Sequence, residues 1–557
     1  MRRADFLKGL LQFGTIGFGA AAALPGCSIV RRIIPGDFDV VLRGGTVMDG
    51  SGAAGFRADL GIAGDRIAAI GDLSDKSASL SIDAREKIVC PGFIDLHSHS
   101  DLTALSNSSA DSKIRQGVTT EVVGQDGNSM APIGWMRSGE WSRALRRYDI
   151  SEAWRDFDGY FATLREYGTP VNIVSLVGAS TLRRYVAELN TRPLSDWELD
   201  EAVRALDKAH KQGGKYISAG LEYIPGAYAT ERELVTLARR SKLYVTHMRN
   251  EDDRVIPALR EAINIARKSG AALHVSHIKA QGRRNWGKLQ TMFAMMDQAR
   301  GWRTPITCDR YPYLAYNNGL MNLFPLGLRQ GGNAAGAARL AASPETRREV
   351  RPAVQRKIDS LGSYNAVMLS DVRGAYAGYS GRRLGDLAGS LGRDPFDLLC
   401  DIVIAHSGGG TMVGFAMSEE NLIRLLRYPY CAIASDGAAL NARSAGRAHP
   451  RNFGSFPRVL GTYVRDQNIL NLPEAIRKMS GLPAQILGLA DRGLLATGGR
   501  ADIVVFDPRR IADRATYLKP DYPIGVEHVL VNGTPVVYEE SPTGARPGLP
   551  LTGDFDT

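Results

Sequence analysis

The chain has 557 residues, of which 44% are hydrophobic and 23% charged. These values exclude a disordered polypeptide and allow one large buried core with a smaller accessory unit. Its 69 Lys+Arg against 59 Asp+Glu give a net charge of +10, but the basic residues form no long run and no aromatic-interleaved stretch, which sets nucleic-acid binding aside.

The first segment reads as an export signal rather than as part of a fold. Arg2, Arg3 and Lys8 precede an apolar, Gly/Ala-rich stretch over 9–24 that is short for a membrane span. It ends in Leu24-Pro25-Gly26-Cys27, which resembles a bacterial lipoprotein cleavage box with Cys27 as the lipidated residue. Arg2-Arg3-Ala4-Asp5-Phe6-Leu7-Lys8 resembles a twin-arginine signal with one extra residue before Phe6. Residues 1–27 are therefore expected to be a lipoprotein-type signal peptide, with the mature protein exported to the cell envelope or periplasm and held to the membrane by a lipid anchor. Cys90, Cys308, Cys400 and Cys431 follow no C-x-x-C or disulfide-framework spacing and read as buried thiols.

From 37 to 90, short β-rich runs such as Val40-Val41-Leu42 and Thr46-Val47-Met48 alternate with Gly/Asp turns. The same texture returns in 485–557, where Ile503-Val504-Val505-Phe506 and Val529-Leu530-Val531 lead into Asn532-Gly533, a hairpin turn signal. The two ends are expected to form one small antiparallel β-sandwich domain. Between them, over 91–484, eight strand-like runs (93–99, 119–124, 171–177, 216–218, 243–247, 272–277, 305–309 and 431–436) are separated by amphipathic helical stretches such as 194–211, 255–268 and 286–299. Eight such units predict an α/β fold of the (β/α)₈ type. The gap between Asp309 and Cys431 exceeds one helix and predicts an inserted subdomain around 314–369.

A barrel of this kind concentrates chemistry at the carboxyl ends of its strands. His97 and His99, at i and i+2 on a predicted strand, present two imidazoles to one side, which suits a metal. His247, His277 and Asp436 each close a further predicted strand. His274 lies on the opposite face from His277 and reads as structural; His210, His406, His449 and His528 read as ordinary surface or loop histidines.

Together these runs resemble the N-acyl-D-amino-acid deacylases (D-aminoacylases) of the amidohydrolase superfamily. The resemblance extends from about Asp37 to the C-terminus and rests on 91–101, 117–120, 177–183, 246–249, 276–279, 309–313, 435–437, 456–461 and 501–508. It implies a metal-bearing barrel with an insertion and a β-sandwich made from both chain ends. His97 and His99 would hold one metal with Asp436, and His247 and His277 a second. Asp126, in Gly124-Gln125-Asp126-Gly127, stands where the family has a Cys in Gly-Asn-Cys-Gly. A carboxylate can bridge two metals, and replacing the thiolate weakens the preference for Zn and leaves Mn or Co open. Ala179 stands where the family often has His. Lys279, Tyr311 and Arg451 match positions that bind the substrate carboxylate, and Glu222 is expected to line the pocket.

The activity implied is hydrolysis of the amide of an N-acyl-D-amino acid, or of a short peptide ending in a D-residue. Metal-bound hydroxide would be the nucleophile, with Asp436 as general base and then acid. Two alternatives stand beside it. One is another amidohydrolase reaction on a cyclic amide, although no Lys is evidently placed as the carboxylated bridge of those enzymes. The other is a ligand-binding lipoprotein without turnover, against which the full set of His and Asp argues. Oligomeric state is not written in the sequence.

Overall fold

The computed structural model describes residues 37–106, 110–134, 145–146, 148–151 and 154–553. The expected signal segment and Cys27 lie outside them. Among the described residues no helix is long and apolar enough to cross a membrane.

Eight short segments rich in Val, Ile, Leu and Thr are buried almost along their whole length, as strands covered on both faces must be. They are Phe93–Asp95, Val118–Val123, Asn172–Gly178, Lys215–Gly220, Leu243–His247, Ala272–Val275, Ile306–Arg310 and Cys431–Ile433. All run parallel, each beside its neighbour in chain order, which is the expected eight-stranded barrel. No ladder joins the first strand to the eighth among the described residues. The seam is closed beyond the strand ends, where Ser98 bridges Gly437, the His99 N–H donates to the Gly437 carbonyl at 2.9 Å and the Asp436 N–H donates to the His97 carbonyl at 2.8 Å.

Helices pack outside the strands. Asp196–Lys211 starts at Ser195, whose hydroxyl accepts from the Glu198 N–H while Glu198 accepts from the Ser195 N–H, a reciprocal cap. Its inner face buries Leu199, Ala202, Leu206 and Ala209. Val255–Ser269 buries Leu259, Ala262, Ile263 and Ala266 and stops at Gly270, which takes φ 82°. Three strands are shorter than the sequence suggests: those expected over 93–99, 272–277 and 431–436 end at Asp95, Val275 and Ile433. His277 and Asp436 adopt φ 35° and 52°, so the chain turns inward there and leaves the ladder.

Both chain ends enter one nine-stranded sheet of the described residues. Ile503–Phe506 pairs antiparallel with Ile88–Pro91, and the Lys87 ammonium joins Asp507 and Glu527 across the same boundary at 2.9 and 2.7 Å. The sheet is not wholly antiparallel, since Phe38–Val47 runs parallel to both Ala78–Asp83 and Ile88–Pro91. Asn532 and Gly533 form the two-residue turn between Val531 and Thr534, both with positive φ. Cys90, Cys308, Cys400 and Cys431 are buried free thiols.

The insertion is longer than expected. Its three-stranded antiparallel sheet is made of Ala315–Gly319, Val367–Leu369 and Thr411–Phe415. It therefore continues past 369 to Phe415. Helix Pro395–Ala405 turns Phe396, Leu399 and Val403 into a core shared with Leu320, Val354 and Leu384. That apolar stretch belongs to the insertion and not to the barrel.

Candidate metal centre and active site

At the carboxyl end of the barrel lies a cavity of about 430 Å³. Asp126 sits at its floor. Its Oδ1 lies 3.7 Å from His97 Nε2 and 3.6 Å from His277 Nε2. Its Oδ2 lies 3.8 Å from both His99 Nε2 and His247 Nδ1. One carboxylate thus faces four imidazoles contributed by three strand ends. Asp436 completes the group from the eighth strand, with Oδ1 at 3.1 Å from His99 Nε2 and 3.6 Å from His97 Nε2.

The turn that carries Asp126 is set by glycines. Asp126 takes φ 54°. A Cβ on Gly220 would fall 2.1 Å from the Asp126 carbonyl, and one on Gly178 2.2 Å from that of Gly127. Only glycine at the ends of the third and fourth strands lets this turn lie across them.

The donor set fits a divalent metal. Both ring nitrogens of His97, His247 Nε2 and Asp126 Oδ1 are buried without a hydrogen-bond partner, a costly state for polar atoms that metal coordination would relieve. Three triads have ligand atoms within 4.8 Å of one another: His97, His99 and Asp436; His97, Asp126 and His277; His247, Glu251 and His277. Nitrogen and carboxylate donors are those that zinc and harder divalent ions share. Burial would push the Asp126 carboxyl up, but the imidazoles of His247, His277 and His97 more than offset this and hold it well below the usual range.

Outer residues fix the ligands. Asp309 accepts from the His277 backbone N–H at 2.8 Å, contacts His274 Nε2 at 2.9 Å and lies 3.6 Å from His97 Nδ1. His274 therefore supports the centre from behind and is not a ligand, in keeping with its position on the far face. Burial pushes the Asp101 carboxyl beside His99 up to about 6.

The other expected residues divide. Arg451 donates from Nη1 to Asp436 Oδ2 at 2.6 Å. The Tyr311 hydroxyl is buried, unpartnered and on the cavity wall. Lys279 also lines the cavity, but its ammonium is engaged by Glu251 Oε1 at 2.6 Å and His277 Nδ1 at 2.8 Å. Glu222 is displaced from expectation. It lines a neighbouring cavity of about 320 Å³ with Arg329 and Lys357 and approaches His247 Nε2 from outside at 3.5 Å. His449 is not an ordinary loop histidine: it is buried, its Nδ1 accepts from the Arg451 N–H at 3.0 Å and its Nε2 meets the Ala315 carbonyl at 2.9 Å. Burial and the neighbouring Arg451 guanidinium hold its pKa well below the ordinary value.

Sequence reading missed Glu251, whose only local signal is a carboxylate four residues after His247, and Tyr223, whose ring packs 4.7 Å from His247. It also missed Tyr316, Asn317, Asn318 and Thr411, which the insertion brings to the cavity wall.

A model of the amidohydrolase family matches residues 81–299 and 429–537, which hold seven of the eight barrel strands and part of the nine-stranded sheet. The chain is 36% identical over 527 residues to an N-acyl-D-glutamate deacylase of Alcaligenes xylosoxydans xylosoxydans, covering 93% of this chain and 97% of that one. It belongs to the amidohydrolase family. To a D-aminoacylase of the same organism this amidohydrolase is 35% identical, covering 92% of its own length and 97% of the relative. Its fold matches the solved N-acyl-D-glutamate deacylase of Bordetella bronchiseptica, complexed with zinc and a phosphonate mimic of the tetrahedral intermediate. That match has a TM-score of 0.78, 34% identity and coverage of 93% and 100% of the two chains. This amidohydrolase is therefore a metal-dependent amide hydrolase whose relatives include N-acyl-D-amino-acid deacylases.

Proposed function

We propose that this amidohydrolase removes the acyl group from N-acyl-D-amino acids, or from short peptides ending in a D-residue, with Asp436 moving the proton. The observation that carries the reading is the position of Asp126 among four imidazoles, beside the Asp436–Arg451 pair and on one cavity.

His97, His99, His247, His277, Asp126 and Asp436 would hold one or two divalent ions, with zinc first and manganese or cobalt admitted by the carboxylate at 126. An ion held by these residues would supply Lewis acidity, making a water more acidic and the amide carbonyl more electrophilic. Asp436 accepts the water proton on Oδ1, the oxygen facing the imidazoles, and passes it to the departing amine. Arg451 on Oδ2 keeps the carboxylate ionised and oriented between these steps. The remaining guanidinium N–H groups and the free Tyr311 hydroxyl receive the substrate α-carboxylate, while Lys279 stays held by Glu251 and His277 on the cavity wall. His449 holds the Arg451 backbone in place for that contact.

The test is metal content together with hydrolysis of N-acetyl-D- and N-acetyl-L-amino acids and L,D-dipeptides by protein lacking residues 1–27. Bound metal with D-selective release of amine is expected. Turnover of the L-series alone, or of none of these compounds, overturns the reading. We further propose that Cys27 carries a lipid and anchors the enzyme at the cell envelope, a reading supported by the Leu24-Pro25-Gly26-Cys27 run.

A further inference from the structure

Behind the metal ligands lies a charged group that the hydrolytic scheme does not use. Lys113, on the short helix Asp111–Ile114, is completely buried, as are Asp95 and Glu121. Its ammonium donates to Asp95 Oδ2 at 2.8 Å, Ser435 Oγ at 2.9 Å and the Gly437 carbonyl at 2.9 Å, with Glu121 Oε1 at 3.0 Å. Asp95 Oδ1 accepts from the Ser435 N–H at 2.9 Å. Glu121 Oε1 accepts from the Ser98 and Ser100 hydroxyls at 2.6 and 2.7 Å. The Ser100 hydroxyl in turn accepts from the Ala439 N–H at 2.8 Å.

Four of these bonds, Lys113 to Ser435 and Gly437, Asp95 to Ser435 and Ser100 to Ala439, cross the seam between the first and eighth strands, which main-chain bonds join only beyond the strand ends. The two segments joined are 95–100, which carries His97 and His99, and 435–439, which carries Asp436. A buried ion cluster contributes little net stability, because desolvation offsets most of its Coulomb energy. What it supplies is direction, since the ammonium is held in one place by Asp95, Ser435 and Gly437, with the second carboxylate, Glu121, alongside. We propose that Lys113 is a positioning residue: together with the main-chain bonds beyond the strand ends, it locks the His97/His99 segment to the Asp436 segment and so sets the spacing of metal ligands and proton carrier across this seam. The inference rests on the proposed roles of those three residues.

The experiment uses the zinc-loaded enzyme with Lys113→Met, which keeps the length of the side chain and removes its donors, and Ser435→Ala, which removes one strut and leaves the lysine paired. Melting temperature, zinc retained during titration with a chelator, kcat and KM are measured on each. A positioning role lowers kcat by about 100-fold in Lys113→Met and about 10-fold in Ser435→Ala, with KM within about two-fold, and releases zinc at about 10-fold lower chelator. A lower melting temperature with kcat and zinc retention unchanged marks a merely structural residue and overturns the inference. If Lys113→Met does not fold, Ser435→Ala decides alone, and wild-type kcat with wild-type zinc retention overturns it. The zinc arm needs no substrate. A protein that hydrolyses no N-acyl amino acid therefore refutes the proposed function while zinc retention still decides this inference.

Discussion

Arg451 and Asp436 form a buried pair, guanidinium Nη1 to carboxylate Oδ2 at 2.6 Å, with 8% and 7% of their side chains exposed. The pair joins the group that would receive the substrate carboxylate to the group that would carry the proton, so binding and chemistry share one contact. Arg451→Lys keeps the charge but loses the planar fork, and kcat/KM is expected to fall about 10- to 100-fold with both constants affected. Asp436→Asn should abolish turnover with an unchanged circular dichroism spectrum. Steady-state kinetics of the two variants check this, and wild-type rates in Asp436→Asn would remove the residue from the mechanism.

Asp126 tests the metal centre. Asp126→Ala should lose metal and activity together, because the four imidazoles are left without their shared anion. Asp126→Cys should retain activity and shift metal preference toward zinc over manganese, thiolate being the softer ligand. Metal analysis after growth and reloading in each ion reads the outcome directly. Equal metal content in Asp126→Ala and wild type would place Asp126 outside the centre.

Gly220→Ala adds a methyl group 2.1 Å from the Asp126 carbonyl. The backbone there has nowhere to retreat, and a destabilisation of about 1–3 kcal/mol is expected. Metal content should fall as well, since the displaced turn carries Asp126. Thermal unfolding and metal analysis check both, and a variant of wild-type stability and metal content would show that the turn is not held by this contact.

Glu198 gives a pH dependence far from the metal. The Arg192 guanidinium, aided by the Ser195 N–H, holds its carboxyl at about 2 against an ordinary 4.5, with burial opposing. A carboxyl with a depressed folded pKa contributes stability that is present above 4.5 and lost as pH falls toward 2. Glu198→Ala should therefore lower the melting temperature by about 1–2 °C at pH 7, from loss of roughly 1 kcal/mol of cap and ion pair. The difference from wild type should shrink as pH falls through that window; a constant difference would refute the assignment.

Cys27→Ala in the full-length chain should move the enzyme from the membrane fraction to the soluble fraction. Mass spectrometry of the wild-type N-terminus should find acylated Cys27 as the first residue. A wild-type protein with an unmodified N-terminus would discard the anchor.

The periodicity of the chain is enough to read the barrel, because eight alternations of apolar strand and amphipathic helix have few other ways to bury their surfaces. The same periodicity places His97, His99, His247, His277 and Asp436 at strand ends, where a barrel gathers them. Other features depend on separations that no local pattern records. Asp126 looks like any Asp-Gly turn until Gly178 and Gly220 are seen to admit it to the centre of four imidazoles. Lys279 looks like a free substrate clamp until Glu251, 28 residues earlier, is found on its ammonium. Glu222 lines a neighbouring cavity with Arg329 and Lys357 of the insertion while reaching His247 Nε2 at 3.5 Å. Lys113 carries no local signal of its role, and only closure of the barrel brings Asp95, Ser435 and Gly437 onto one buried ammonium. Side-chain type and spacing carry the fold because they act within a few residues, whereas pairing of buried charges is decided by which chain segments the closed barrel brings to between 2.6 and 3.7 Å.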